Sequence, residues 1–184
     1  MNRITVELTG TSPTLHNNCQ TRGEDPGWKP KTDHEQAESR LYGRGSMLHL
    51  PWFVPVIAIG RAAWSKYEWT NRKWSTEIVH AEALINVLSV DLINFQGDWT
   101  PQSFSRQGSS PVALPRFDQW SASFRLAYNS DYHSESTLRD LLEHSGRHIG
   151  LPQFAPFAGP GPWGRFEVMK WEPVKSVALS EATA

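Results

Sequence analysis

Trp120-Ser-Ala-Ser-Phe-Arg-Leu-Ala-Tyr128 opens the stretch whose reading decides the fold. Trp120, Ala122, Phe124, Leu126 and Tyr128 alternate with Ser121, Ser123 and Arg125, the period of a strand with one buried face. From Ser134 to Ile149 the period lengthens. Leu138, Leu141 and Leu142 then share one helical face, and Gly150 supplies the stop. Gly146, inside that helix, is expected to let it pack closely on a sheet. A loop follows, Gly150-Leu-Pro-Gln-Phe-Ala-Pro-Phe-Ala-Gly-Pro-Gly-Pro-Trp-Gly164, and then a final strand, Arg165-Phe-Glu-Val-Met-Lys-Trp171. Without a Cβ, the glycines of such a loop allow a close approach to a neighbouring backbone, a phosphate or a base.

Working outward, Ile4, Val6 and Leu8 alternate with polar neighbours up to Gly10 and read as a first strand. The prolines of Leu50-Pro-Trp-Phe-Val-Pro suit the first turn of a helix, and Val56 to Trp64 reads as short and buried. Leu84 to Phe95 is rich in β-branched and apolar residues and reads as a central strand. The order strand, helix, strand, strand, helix, strand is α+β. It is the ferredoxin-like βαββαβ arrangement, an antiparallel sheet with both helices on one face. A single domain is expected over residues 1–173. Its long insertions are 11–46 after the first strand, 65–83 after the first helix, and 96–118 as a hairpin arm between the second and third strands. Residues 174–184 read as a loose tail.

The 184 residues are 39% hydrophobic and include nine Trp, enough for a genuine core. A formal charge of −1 excludes a global electrostatic footprint for nucleic acid, so binding to it has to rest on a local patch. A single cysteine, Cys19, excludes an intramolecular disulfide and a Cys-rich zinc module. No apolar run approaches the roughly 18 to 20 residues that span a bilayer. The N-terminal residues read as a strand rather than a signal peptide, so no membrane association and a cytoplasmic location are expected.

The densest interleaving of cations and rings is Arg61 to Trp74, with Arg61, Lys66, Arg72 and Lys73 against one acid, Glu68. Trp64, Tyr67, Trp69 and Trp74 lie among them. Cations hold phosphates while rings stack on unpaired bases, which suits single-stranded nucleic acid; equally, these rings could pack the insertion onto the body. The hairpin arm adds Phe104, Arg106 and Arg116 and is long enough to reach a bound strand or a neighbouring subunit. His16 follows the first strand in Leu15-His-Asn-Asn18. It is either a general base acting on a ribose hydroxyl or a hydrogen-bonded loop residue. His144 and His148 share a helix face, but there is no HExxH order and no third ligand is evident, so no metal or cofactor is expected. No phosphate-binding loop, nucleophile elbow or dinucleotide fingerprint occurs.

Four segments together resemble a family of small phage and prophage proteins. They are Val6 to Asn18, Leu48-His-Leu-Pro-Trp52, Pro115 to Phe124, and Ser145-Gly-Arg-His-Ile-Gly-Leu151 with Trp163-Gly-Arg-Phe-Glu-Val168. That family is similar in turn to the RAMP superfamily, the ferredoxin-like RNA-binding backbone subunits of CRISPR effector complexes. The resemblance implies a non-enzymatic protein of a bacterial host or phage-infected cell. Such a protein would assemble as a homo-oligomer, or with other RAMP-like subunits, along RNA or single-stranded DNA. It also implies that residues 96–118 act as a thumb-like hairpin and that Gly150, Gly159, Gly161 and Gly164 form the glycine loop. Arg165 and Arg147 flank that loop, which has no cation of its own. Two alternatives stand beside this reading: a RAMP-like RNA-processing endonuclease with His16 as its base, and an anti-defence factor that mimics a backbone subunit and docks on one.

Overall fold

The computed structural model describes residues 1–18, 32–67, 88–104, 111–151 and 163–174, with backbone alone at 44, 64, 66, 67 and 88. Its main sheet is built on β1 (Asn2–Gly10), β9 (Ser121–Tyr128) and β10 (Phe166–Pro173). Outward from β9 come β5 (Leu88–Val90), β6 (Ile93–Gln96), β4 (Met47–Leu50) and β3 (Gly43–Arg44). The spatial order is β10-β1-β9-β6-β4-β3, with β5 also on β9, and every pairing is antiparallel. The four strands foreseen from sequence therefore lie in the order fourth, first, third, second. This is the ferredoxin-like arrangement, extended at one edge by the small strands β3 and β4.

Two helices cover one face: α2 (Phe53–Tyr67) and α3 (Glu135–His148). Against them β1 turns Ile4, Val6 and Leu8, and β9 turns Ala122, Phe124, Leu126 and Tyr128, as the alternation foretold. The same cluster takes in Ile59 and Ala62 of α2 and Leu138, Leu141 and Leu142 of α3. Burying that apolar area is the main source of stability for such a layer pair. Ser134 caps α3, its side chain accepting from the Thr137 N–H at 3.1 Å. A cap of this kind contributes about 1 kcal/mol. Gly146 abuts β10 directly, since a Cβ there would collide with the carbonyl oxygen of Phe166.

The single strand expected over 84–95 is broken within its described part. From Val90 to Asn94 the chain advances four positions while its partner moves three, from Leu126 to Ser123. One extra residue is thus inserted, a β-bulge, and Asp91 and Leu92 turn outward to solvent. The first helix also runs three residues further at each end than the expected 56–64. Periodicity locates an element better than it locates its ends.

Residues of two insertions fold together. β7 (Trp99–Phe104) and β8 (Val112–Phe117) form the expected hairpin, and β2 (Thr14–Leu15) adds to β8, giving a separate three-stranded sheet. The short helix α1 (Asp33–Glu38), opened by a Thr32–Glu35 capping box, packs on β7 and β8. His34 stacks on Trp99 at 4.8 Å, Asp33 accepts from the Ser103 hydroxyl, and Gln36 accepts from the Ala113 N–H. The base of the arm is therefore docked on the chain's own insertion. Residues 105–110 lie outside the described set.

Candidate nucleic-acid interface

The two ends of the glycine loop meet. At the end of α3 the N–H groups of Ile149 and Gly150 both donate to the Ser145 carbonyl, at 2.9 and 2.7 Å. Gly150 then takes φ +86° and Gly164 φ +68°, the left-handed region that favours glycine. A Cβ on Gly150 would strike the Trp163 carbonyl. The Leu151 N–H donates to the Gly164 carbonyl at 2.8 Å, and the Gly164 N–H donates to the Pro13 carbonyl at 2.7 Å. The Arg165 N–H donates to Ser12 Oγ at 2.9 Å, and the Arg165 carbonyl accepts from Thr11 N–H at 2.7 Å.

These bonds join the loop to the segment leaving β1, and they change the role foreseen for Gly164. Its amide serves Pro13 and the residue is buried, so that N–H is not presented to a phosphate. Arg165, next in the chain, is exposed.

This junction fixes Trp163. Its indole lies under the guanidinium of Arg116, 5.6 Å from carbon to ring centroid, and meets the Phe104 ring edge-on at 6.2 Å and 72°. The register sets Thr100 opposite Arg116 and Phe104 opposite Val112, so Phe104 and Arg116 share a face of the hairpin. α1 is engaged by His34 on Trp99, which lies on the other face.

Arg116 is held by its edges. Nε and Nη2 both donate to Asp118 Oδ1, at 2.8 and 2.7 Å, and Nη1 donates to Gln102 Oε1 at 3.2 Å. Its side chain is 32% and that of Asp118 61% exposed, so the pair adds well under about 1 kcal/mol of stability. Its effect is orientation: a planar cation held over an aromatic ring, 5.6 Å from its centroid. Such a pair presents charge for a phosphate beside a surface for a base.

The other residues singled out from sequence are more scattered. Arg61 is exposed on α2, in the helical layer of the main sheet; Lys66 is on the same helix. Trp69, Arg72, Lys73, Trp74, Arg106 and Gly161 lie outside the described residues. Arg147 is paired with Glu143 at 3.0 Å. Sequence reasoning passed over Trp163 as a contact residue, although an aromatic closing a Gly/Pro run was the available signal.

His16 is enclosed. It is fully buried, with its ring 4.6 Å from Phe95, 4.5 Å from Phe117 and 5.5 Å from Tyr42. Nδ1 accepts from the Tyr42 N–H at 3.5 Å, while Nε2 has no hydrogen-bond partner among the described residues. Burial, and to a lesser degree the proximity of His49, pushes its pKa down to about 3, so the ring is neutral. The ring considered as a base is thus enclosed among Tyr42, Phe95 and Phe117.

The uncovered face of the main sheet is polar and balanced in charge. Thr5, Thr9, Ser121, Ser123, Asn94 and Gln96 line it, with Arg3, Arg125 and Lys170 among Glu7, Glu167 and Glu172. Lys170 lies 3.4 Å from Glu7 and 3.5 Å from Glu172, and Glu172 foremost raises its pKa. Among the described residues, the register adds the half-buried His49 to this face, opposite Asn94.

The fold and the hairpin–loop junction define an α+β, ferredoxin-like chain with an inserted β-hairpin. No protein-family model matches it, and no curated protein does. Among solved structures it is similar to a chain in the cryo-EM structure of Type III-B Cmr-beta bound to cognate target RNA, with 13% identity and a TM-score of 0.47. The match covers 95% of this chain and 61% of that one, so the present chain spans about three fifths of its length. Among the described residues no group of three or more His, Cys, Asp or Glu is placed to hold a metal. No described helix is long and apolar enough to cross a membrane.

Proposed function

We propose that this protein binds single-stranded nucleic acid without catalysis, and that the Arg116–Trp163–Phe104 cluster is the centre of its interface. The observation that carries the reading is the guanidinium of Arg116 over the ring of Trp163, 5.6 Å from its centroid, at the junction of a hairpin arm and a glycine loop. Arg165 extends the surface on the loop side. Arg61, Lys66, Arg72 and Lys73 supply phosphate contacts, and Trp69 and Trp74 stack on further bases, on the sequence reading of the insertion. In its finer form the proposal is a phage-type, RAMP-like backbone subunit that lines up along RNA or single-stranded DNA. The net charge of −1 requires the contact to be local, as this cluster is.

The test is anisotropy of a labelled single strand, as RNA and as DNA of the same sequence, against a duplex. Preference for the single strand, lost on Arg116→Ala together with Trp163→Ala, supports the reading. Binding left unchanged by both substitutions removes the cluster from the interface, and no binding to any of the three probes rejects the function.

A further inference from the structure

α3 carries a pair of side chains that the interface does not use. His144 and His148 stand one turn apart, with ring centroids 4.6 Å apart and planes inclined at 43°. Residues four apart project from one face, and side chains lean toward the helix N-terminus, so His148 reaches back over His144. His148 is exposed and His144 half-buried. Asp140 lies one turn earlier on the same stripe, and Ser65 of α2 brings its Oγ to 3.4 Å from His144 Nε2. The arginines of these turns are paired on one acid: Glu143 binds Arg139 at 2.9 Å and Arg147 at 3.0 Å, one through each carboxylate oxygen.

We propose that His144 and His148 form a two-histidine chelate for a divalent transition cation of the zinc, nickel or copper kind. Neutral imidazoles suit such borderline metals, whereas magnesium and calcium demand oxygen ligands. Two protein nitrogens leave the remaining positions to water. A carboxylate outside the coordination sphere is the usual partner of a ligating histidine, and Asp140 stands one turn before His144 on α3. The site lies where α2 and α3 pack together, so an ion there ties the exposed end of α3 to that packing.

The experiment is titration of the metal-free full chain with nickel chloride, read by calorimetry and by melting temperature, with magnesium chloride as the control. One equivalent should bind. At about a hundredfold excess over Kd the melting temperature should rise by roughly 5–10 °C, while magnesium has no effect. His148→Ala, at an exposed helical position where alanine is well tolerated, should abolish both signals without changing the metal-free melting temperature; His144→Gln should do the same to the binding heat. Several weak equivalents that persist in both variants would mean an adventitious ion only and overturn the proposal, as would one equivalent unaffected by either substitution. Because no nucleic acid enters the assay, its outcome is independent of the function proposed above.

Discussion

The guanidinium of Arg116 lies over the indole of Trp163, 5.6 Å from the ring centroid, and joins two parts of the chain that have separate origins. Arg116 comes from the hairpin inserted between two sheet strands; Trp163 comes from the turn that returns the chain from α3 to β10. Each is locked independently, Arg116 by Asp118 and Gln102, and Trp163 by the backbone bonds of its neighbour Gly164 to Leu151 and Pro13. A cation and a ring held in this way need little reordering when a ligand arrives, which favours affinity.

Replacing Trp163 separates stacking from charge. Trp163→Ala should weaken single-strand binding by about 5- to 150-fold, the range for one base–aromatic stack, and Trp163→Phe should recover most of it. Quenching of tryptophan fluorescence on binding should shrink in both variants. Equal affinities for all three proteins would show that no base rests on this ring.

Charge is read from the salt dependence. Each phosphate contact on a single strand contributes a slope of about 0.7 in log K against log salt. Arg116→Ala should therefore reduce the slope by about 0.7, whereas Arg116→Lys should preserve it while lowering affinity, because lysine lacks the planar face. Arg72→Ala with Lys73→Ala should reduce it by about 1.4, similarly for all sequences. A slope identical to the parent in the double variant would exclude residues 72 and 73 from the contact.

The buried His16 makes stability depend on pH. Its folded pKa of about 3 lies below the ordinary 6.5, so the folded state refuses a proton that the unfolded chain accepts. Its contribution is complete above pH 6.5 and is lost progressively as pH falls toward 3, at about 1.4 kcal/mol per unit. Between pH 7 and 4.5 the parent should lose about 2–3 kcal/mol more than His16→Phe in urea unfolding. His133, also lowered by burial, adds a component of the same sign that both proteins share. Parallel curves for the two proteins would show that His16 is accessible to protons in the folded state.

Gly146 tests the seating of α3 on the sheet. Alanine is the better helix former by about 1 kcal/mol, yet its Cβ would strike the Phe166 carbonyl and crowd the Phe166 ring. Overpacking should prevail, with a net loss of about 1–3 kcal/mol and a fall in melting temperature of roughly 3–10 °C. A stabilised Gly146→Ala variant would mean that α3 stands further from β10.

The elements legible in the sequence are those governed by local pattern. Alternation at Ile4, Val6 and Leu8 and at Trp120 to Tyr128 located two adjacent core strands, because the period of a half-buried strand is two wherever it is placed. Leu138, Leu141 and Leu142, with the glycine at 150, located α3 in the same way. The bulge at Asp91–Leu92 was not legible, since an apolar run does not reveal which residue will be unpaired. Nor was the burial of His16: its enclosure depends on Phe95 and Phe117, remote in the chain and hidden from any local window.

By itself, then, the sequence determined the order of strands and helices and the chemistry available: a basic-aromatic insertion, a cation-free glycine loop and an arm with scattered arginines. Only the tertiary structure decided which of these groups meet. Residues 14–15, 33–38, 99–104 and 112–117 come from separate parts of the chain, yet they share one small sheet and its helix, because each lacks an apolar partner of its own until the others supply it. That sheet sets Arg116 on Trp163 and turns Gly164 from a ligand cradle into a structural joint. Local periodicity is written residue by residue, whereas long-range contact depends on every packed layer between.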